Sequence, residues 1–129
     1  DAIYMHSDCV YSESTVQTLK EMDQYAPRGE DGHIFIAAID GCSANIALIR
    51  EGSTDQASGQ PIPDFGSMVV EYIQKKLNGE VIEEGPVVQE GALWSPAQLV
   101  MTDVGFQLYL STTDISIDNV DNPGLWGNQ

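Results

Sequence analysis

The predicted fold depends most on the stretch HIFIAAIDGCSANIALIR, which spans residues 33–50. Residues 34–39 form an almost wholly apolar, β-rich run, which predicts a strand in the middle of a sheet that is covered on at least one face by helices. The Asp40-Gly41 pair that follows is typical of a two-residue β-hairpin. We therefore expect the chain to turn at Asp40-Gly41 and to return as a second strand over residues 42–50.

Two amphipathic helices are predicted on either side of this stretch. The first spans residues 13–25, repeats apolar residues every three positions and is capped by Ser12 or by Ser14. The second begins at an Asp64 cap and ends before Gly79. Its apolar positions are spaced three and four residues apart, and they are Phe65, Met68, Val69, Tyr72, Ile73 and Leu77.

The second half of the chain predicts short strands. Residues 97–102 and 106–112 form a second hairpin, and residues 115–117 form a short edge strand. Residues 51–63 are a long polar loop without structure of its own, and residues 118–129 are an irregular C-terminal tail. Nothing in the composition separates two domains, so we expect a single domain over residues 1–129.

This order of elements predicts an α+β domain, α-β-β-α-β-β-β. The sheet is mostly antiparallel, has about five strands, and carries two helices packed on one face. The order resembles that of the profilin, roadblock and PAS group of sensor and scaffold domains. The resemblance lies in the element order alone, with no family motif in the residues, so it implies a fold and no specific function.

The charge of the chain excludes several classes of partner. There are 20 acidic and 5 basic residues, which gives a net charge of −15. Binding to nucleic acid or to an anionic membrane surface needs clustered Lys and Arg, so neither is expected. No apolar run approaches the ~18 residues of a membrane span, so membrane insertion is not expected either. Three readings of the acidity are open: a solvated surface suited to a secreted or high-salt setting, recognition of a basic protein partner, and cation binding.

Two cysteines, Cys9 and Cys42, make one candidate disulfide. The even count and the low lysine content favour an extracytoplasmic protein, either secreted or periplasmic. The alternative is two unrelated buried thiols. The start at Asp1 fits either a processed chain or a trimmed one.

The densest group of chemically active residues is His6-Ser7-Asp8-Cys9. On an extended segment His6 and Asp8 share a face, and both are acceptable zinc ligands. The alternative is a terminal loop with a bridged Cys9 and an exposed His6. Aromatic residues with polar atoms add candidates for a ligand pocket or an interface. The candidate ligand or interface residues are His6, Asp8, Trp94 and Trp126.

No cofactor is expected, because the chain has no phosphate-binding glycine loop, dinucleotide motif or C-x-x-C pair. A divalent cation such as Ca²⁺ is an alternative at the oxygen-rich tail, although the EF-hand pattern is missing. The other reading of that tail is a solvated segment. The residues concerned are Asp114, Asp118, Asn119, Asp121 and Asn122.

The function favoured by these observations is a non-catalytic, acidic, extracytoplasmic domain for ligand binding, sensing or protein interaction. One alternative is an acidic inhibitor or immunity protein that binds a basic partner. A second is a small enzyme that uses His6 or His33 as a general base. The partner is then a small molecule or a protein, and copies of the chain could also associate through an edge strand at 106–112 or 115–117.

Overall fold

The computed structural model describes all 129 residues and contains three α-helices and seven strands. In chain order these are β1 (Ala2–Met5), α1 (Asp8–Glu21), β2 (Phe35–Asp40), α2 (Ser43–Glu51), β3 (Gln56–Gly59), α3 (Ile62–Leu77), β4 (Gly85–Val87), β5 (Ala97–Thr102), β6 (Gly105–Tyr109) and β7 (Thr113–Ile115). A short 3-10 turn, Trp126–Asn128, follows near the C-terminus. The predicted α+β class is confirmed.

The chain divides into two compact units. Unit 1 comprises residues 1–60 and 113–129, and unit 2 comprises residues 61–112. Each unit has its own sheet, one of four strands and one of three, in place of the single sheet of about five strands that the sequence predicted. Three of the five strand pairs are antiparallel.

The sheet of unit 1 has the strand order β1-β2-β3-β7, in which β1, β2 and β3 are parallel and β7 is antiparallel to β3. Parallel neighbours cannot be joined by a tight turn, so a crossover must connect each pair. Here α1 connects β1 to β2, and α2 connects β2 to β3. This alternation of strand and helix replaces the predicted α-β-β-α order, so the resemblance to the profilin and PAS element order does not hold.

The predicted strand over residues 42–50 is wrong, because this segment forms α2. Its buried apolar residues, Ile46 and Ile49, are three positions apart, which suits a helix. The segment is so rich in apolar residues that the same pattern also satisfies an alternating strand. Gly52 ends the helix in a left-handed conformation with φ 77°.

Two further elements differ from the predictions. Helix α1 begins at Asp8 with Ser7 as its N-cap residue, so neither Ser12 nor Ser14 caps it. The predicted loop 51–63 contains β3, whose small polar residues do not look like a strand. Small residues are needed there, because a Cβ on Gly59 would lie 2.7 Å from Ile115 Cδ1 on the neighbouring strand.

The interior of unit 1 consists of two clusters of buried side chains. One joins β1, α1 and β2, and the other joins α2, β3, β7 and the tail. The tail 118–129 is therefore packed on unit 1 through Val120 and Leu125. The first cluster contains Met5, Val16, Leu19, Ile36 and Ala38, and the second contains Ile46, Ile49, Ala57, Ile115, Val120 and Leu125.

Unit 2 consists of α3 and an antiparallel sheet in the order β4-β5-β6. The predicted second helix is confirmed, with Asp64 in its first turn instead of at its cap. The predicted second hairpin is confirmed as β5 and β6, which pair from Gln98↔Tyr109 to Thr102↔Gly105. Helix α3 buries none of its side chains.

No helix in the protein combines the length and apolar character needed to cross a bilayer.

Candidate functional site

The carboxyl ends of β1, β2 and β3 meet at one edge of the unit 1 sheet, because the three strands are parallel. We call this the carboxyl edge. The chain leaves β1 through His6 and Ser7, leaves β2 at Asp40 and leaves β3 at Gln60. In open sheets with helical crossovers, ligands bind outside this edge.

A buried carboxylate, Asp8, organises the carboxyl edge and is 1% exposed. Its Oδ2 accepts hydrogen bonds from the Gly41 backbone N–H at 2.7 Å and from Asn45 Nδ2 at 3.1 Å. Its Oδ1 accepts from the Cys42 backbone N–H at 3.2 Å and from Cys9 Sγ at 3.3 Å. Asp8 therefore joins the first turn of α1 to the N-terminus of α2, where unpaired N–H groups favour an anion.

Asp40 occupies the centre of the edge in a conformation that non-glycine residues rarely adopt, with φ 112°. Ser7 Oγ donates to its Oδ2 at 2.6 Å. Its backbone carbonyl accepts from the Gln60 N–H at 2.9 Å and from Trp126 Nε1 at 2.8 Å. Residues held in sparsely populated backbone regions cluster at ligand sites, where surrounding contacts fix them.

The C-terminal tail closes against the loop after β2, and glycines make the close approach possible. A Cβ on Gly127 would lie 2.5 Å from the carbonyl oxygen of Gly41. A Cβ on Gly41 would lie 2.5 Å from Ile115 Cδ1, and its φ of 82° also favours glycine. This packing holds the half-buried Trp126 beside Asp40.

The structure brings three of the four predicted ligand or interface residues to the carboxyl edge. His6 is exposed there, with its ring centroid 5.1 Å from that of Tyr11. Asp8 is buried beneath the edge, and Trp126 lies beside Asp40. Trp94 belongs to unit 2 and is 4% exposed.

Sequence reasoning missed Asp40 and Gln60. Asp40 was assigned to a hairpin, and Gln60 was placed inside an unstructured loop. One signal could have found both residues. In a repeated alternation of strand and helix, the carboxyl ends of the strands lie together. Asp40 ends one of these short strands, and Gln60 directly follows another.

The two thiols lie close together without being bonded. Cys9 Sγ, Cys42 Sγ and an Asp8 carboxylate oxygen are all within 4.8 Å of one another. Burial raises the pKa of both thiols, and hydrogen bonding to the Asp8 carboxylate raises them further. No other group of three His, Cys, Asp or Glu side chains in the chain comes close enough to share a metal ion.

His33 lies at the opposite edge of the sheet, just before β2. Its Nδ1 donates to the Ala26 carbonyl at 2.8 Å, and its Nε2 donates to the Asp55 carboxylate at 3.0 Å. The Ala26 hydrogen bond, followed by Asp55, raises the pKa of His33. Because both partners are acceptors, both ring nitrogens carry protons in this arrangement, which leaves no lone pair for a general base. Asp55 also accepts from Arg28 Nε at 3.1 Å and from the Ile36 N–H at 2.7 Å. These hydrogen bonds of Asp55 therefore link the loop before β2 to strands β2 and β3.

The tail residues proposed for Ca²⁺ serve other contacts. Asn119 Oδ1 accepts from the Ser116 N–H at 2.9 Å, and Asn122 Oδ1 accepts from the Gly124 N–H at 2.8 Å, so both amides stabilise turns. Asp121 pairs with Arg50 at 2.7 Å. Asp114, Asp118 and Asp121 do not form a cluster of three carboxylates. The geometry therefore gives no support to a calcium site here.

The basic residues of unit 1 lie away from the carboxyl edge. Lys20 and Arg50 are in the last turns of α1 and α2, which run opposite to the strands and end at the amino edge of the sheet. Arg28 precedes β2 and contacts Asp55 at that same amino edge. Within unit 1, the carboxyl edge therefore has carboxylate, hydroxyl, amide, imidazole and indole groups and no Lys or Arg.

Unit 2 has a cavity of about 500 Å³ between α3 and strands β5 and β6. Its lining is almost entirely apolar, with Lys76 as the one charged side chain. Ligand sites usually combine such a surface with several convergent polar groups. The cavity lacks that convergence, whereas the carboxyl edge has it. The apolar lining includes Phe65, Met68, Tyr72, Leu99, Phe106 and Leu108.

Comparisons with known proteins do not assign the chain to a family. No family model matches it, and a search of curated proteins found no match. The case for function therefore depends on the geometry of the carboxyl edge.

Proposed function

We propose that this chain is a non-catalytic, extracytoplasmic binding domain that holds a small polar ligand at the carboxyl edge of unit 1. The observation that carries the proposal is the convergence of Ser7, Asp40 and Gln60 where three parallel strands end. Parallel sheets with helical crossovers bind ligands at this edge, because the loops there are free to vary while the strands hold them in place.

The chemistry of the edge favours an uncharged ligand rich in hydroxyl groups. A carboxylate accepts hydrogen bonds at about four positions, and Ser7 uses one of those of Asp40. The Gln60 amide and the His6 imidazole can both donate and accept. An anionic ligand would be repelled by Asp40 and would find no Lys or Arg of unit 1 at this edge. The Trp126 indole adds an apolar surface for the C–H groups of such a ligand.

Asp8 supports this site from beneath without binding the ligand. Its hydrogen bonds to the Gly41 and Cys42 N–H groups fix the loop that presents Asp40. A binding site is precise only when buried contacts hold its residues in place. The extracytoplasmic part of the proposal rests on composition, an even cysteine count with little lysine.

The test is isothermal titration calorimetry of the purified chain against neutral monosaccharides and polyols, with sugar phosphates and primary amines as comparison probes. At least one neutral hydroxyl-rich probe should bind, and the sugar phosphates should not. The Asp40→Asn variant keeps the shape and tolerates the left-handed backbone, so it isolates the charge. It should weaken binding by about 10-fold or more, the usual effect of losing a charged hydrogen-bond partner.

Asp118→Asn is the matched control. It also removes one carboxylate from unit 1, but from the exposed tail, and it should leave affinity unchanged. Failure of every neutral probe to bind would overturn the proposal. Binding that is equally strong in wild type and Asp40→Asn would also overturn it.

A further inference from the structure

The Cys9 and Cys42 thiols lie at the junction of the first turn of α1 and the N-terminus of α2, two segments that are far apart in sequence. Cys9 is the second residue of α1 and is exposed, while Cys42 is the N-cap residue of α2 and is 7% exposed. Their sulfur atoms lie within 4.8 Å of each other. A disulfide forms only between cysteines that the fold already brings close together, and these two meet that condition.

We propose that Cys9 and Cys42 form a reversible disulfide that links the first turn of α1 to the N-terminus of α2. The pair is a modification site for an external disulfide such as oxidised glutathione. One thiolate attacks the external disulfide and releases the first thiol, which leaves a mixed disulfide. The second cysteine then attacks the mixed disulfide and releases the second thiol. Two protons and two electrons pass from the protein to the reagent.

The exposure of the two residues determines which cysteine reacts first. Cys9 is exposed and can meet the reagent, whereas Cys42 is buried and can meet only a sulfur that is already held at Cys9. Cys9 is therefore the attacking residue and Cys42 the resolving one. Since burial raises the pKa of both thiols, thiolate is scarce at neutral pH and the reaction should become faster as pH rises.

A metal ion fits the same three residues less well than a disulfide does. The two Asp8 oxygens already accept hydrogen bonds from the Gly41 N–H, the Cys42 N–H and Asn45 Nδ2. A metal would compete with these donors and would require both thiols to lose their protons. Forming a disulfide removes only one hydrogen bond to Asp8, the weak one that Cys9 S–H donates at 3.3 Å. The other hydrogen bonds that Asp8 accepts are preserved.

The bridge should stabilise the fold, because it closes a loop between two cysteines that are 33 positions apart in the sequence. Constraining the unfolded chain by a loop of this size should raise Tm by about 10 °C. The proposal requires no ligand, so it stands or fails independently of the proposed function.

The experiment treats the purified full chain with oxidised or with reduced glutathione, and then measures intact mass, peptide linkage and Tm. Trypsin cuts after Lys20, Arg28 and Arg50, which places Cys9 in peptide 1–20 and Cys42 in peptide 29–50. The oxidised chain should lose about 2 Da, the mass of two hydrogens, and should yield these two peptides linked. Its Tm should rise, and a dithiol reductant should reverse all three changes.

Single variants serve as controls. Cys42→Ser should trap a glutathione adduct on Cys9, and Cys9→Ser should take up almost none because its remaining thiol is buried. Neither variant should gain Tm on oxidation. A wild-type chain that keeps two free thiols, carries only glutathione adducts or dimerises through Cys9 would overturn the proposal. Loss of the linked peptides when Zn²⁺ is added in stoichiometric amount before oxidation would favour a metal site and would also count against it.

Discussion

Units 1 and 2 use their helices in opposite ways. Helix α2 has only nine residues, yet Asn45, Ile46 and Ile49 are completely buried. Helix α3 has sixteen residues and a regular apolar stripe, yet it buries none of them, and Leu77 is 81% exposed. An apolar stripe therefore predicts a helix, whereas the burial of its side chains depends on whether another element covers that stripe.

Buried polar side chains form a connected network in unit 1. In unit 1, Thr54 Oγ1 donates to Asn45 Oδ1 at 2.9 Å, and Asn45 Nδ2 donates to Asp8, so three buried polar side chains satisfy one another. Each unit also has one buried donor without a partner, Ser12 Oγ in unit 1 and Trp94 Nε1 in unit 2. Connected polar networks make a fold specific, and an unsatisfied buried donor costs stability. The Asp8, Asn45 and Thr54 network therefore makes the fold of unit 1 more specific, while each unit carries the cost of one unpaired donor.

The largest expected effect on stability comes from comparing two aspartates, each in the first turn of a helix: Asp8 in α1 of unit 1 and Asp64 in α3 of unit 2. Asp8→Ala leaves the Gly41 N–H, the Cys42 N–H and the Asn45 amide without their buried acceptor, which should cost on the order of 3–5 kcal/mol in the free energy of unfolding. Asp64→Ala removes the equivalent acid of α3, whose side chain holds no such network, and should cost less than about 1 kcal/mol. Urea denaturation followed by circular dichroism measures both values. Equal losses would show that the carboxyl edge of unit 1 is not organised by Asp8.

A pair of isoleucines tests the contrast in apolar burial. Ile49→Ala empties space in the interior of unit 1 and should cost about 2–5 kcal/mol, while Ile73→Ala on α3 should cost less than about 1 kcal/mol. Ile49 is 0% exposed and Ile73 is 53% exposed. Native-state hydrogen exchange reports the stability of each unit separately. A large loss for Ile73→Ala would mean that the α3 stripe is covered in solution.

The smallest effect concerns pH and is confined to unit 1, since both histidines of the chain lie there. The folded pKa of His33 is raised above its unfolded value. Its stabilising contribution is therefore fully present below the unfolded pKa and is lost as pH rises through the folded pKa. His33→Gln should remove this dependence and should reduce stability mainly at acidic pH.

The check for this prediction is the free energy of unfolding of wild type and His33→Gln, measured at several pH values from 5 to 9 in the same buffer series. The difference between the two proteins should shrink as pH rises. A difference that stays constant or grows with pH would mean that His33 is not protonated in the folded state.

Part of the fold could be predicted from local pattern. The spacing of Met68, Tyr72 and the other α3 residues predicted that helix, and the segment joining two good strands predicted the β5–β6 hairpin. The strand over residues 34–39 was placed within one residue of β2. These elements are determined by their own sequence, so no long-range information was needed.

The rest depended on contacts that local pattern does not contain. Residues 42–50 fit both a strand and a helix, and only the partners of Ile46 and Ile49 decide between them. Strand β3 is short and polar, and it forms because Gly59 fits between its neighbours. Asp40 became a site residue only when the parallel pairing of β1, β2 and β3 was known. The predicted cluster at His6 and Asp8 lies at the carboxyl edge, but the buried role of Asp8 follows from donors more than thirty positions away.

The most direct test of the account is to observe where the ligand binds. Two-dimensional ¹H–¹⁵N NMR of the labelled chain, titrated with the neutral hydroxyl-rich probe that binds best, reports every backbone amide at once. Shifts should concentrate at Ser7, at Asp40-Gly41 and at Gln60, with unit 2 unchanged. Shifts confined to the apolar cavity of unit 2, at Phe65, Met68 or Phe106, would contradict it.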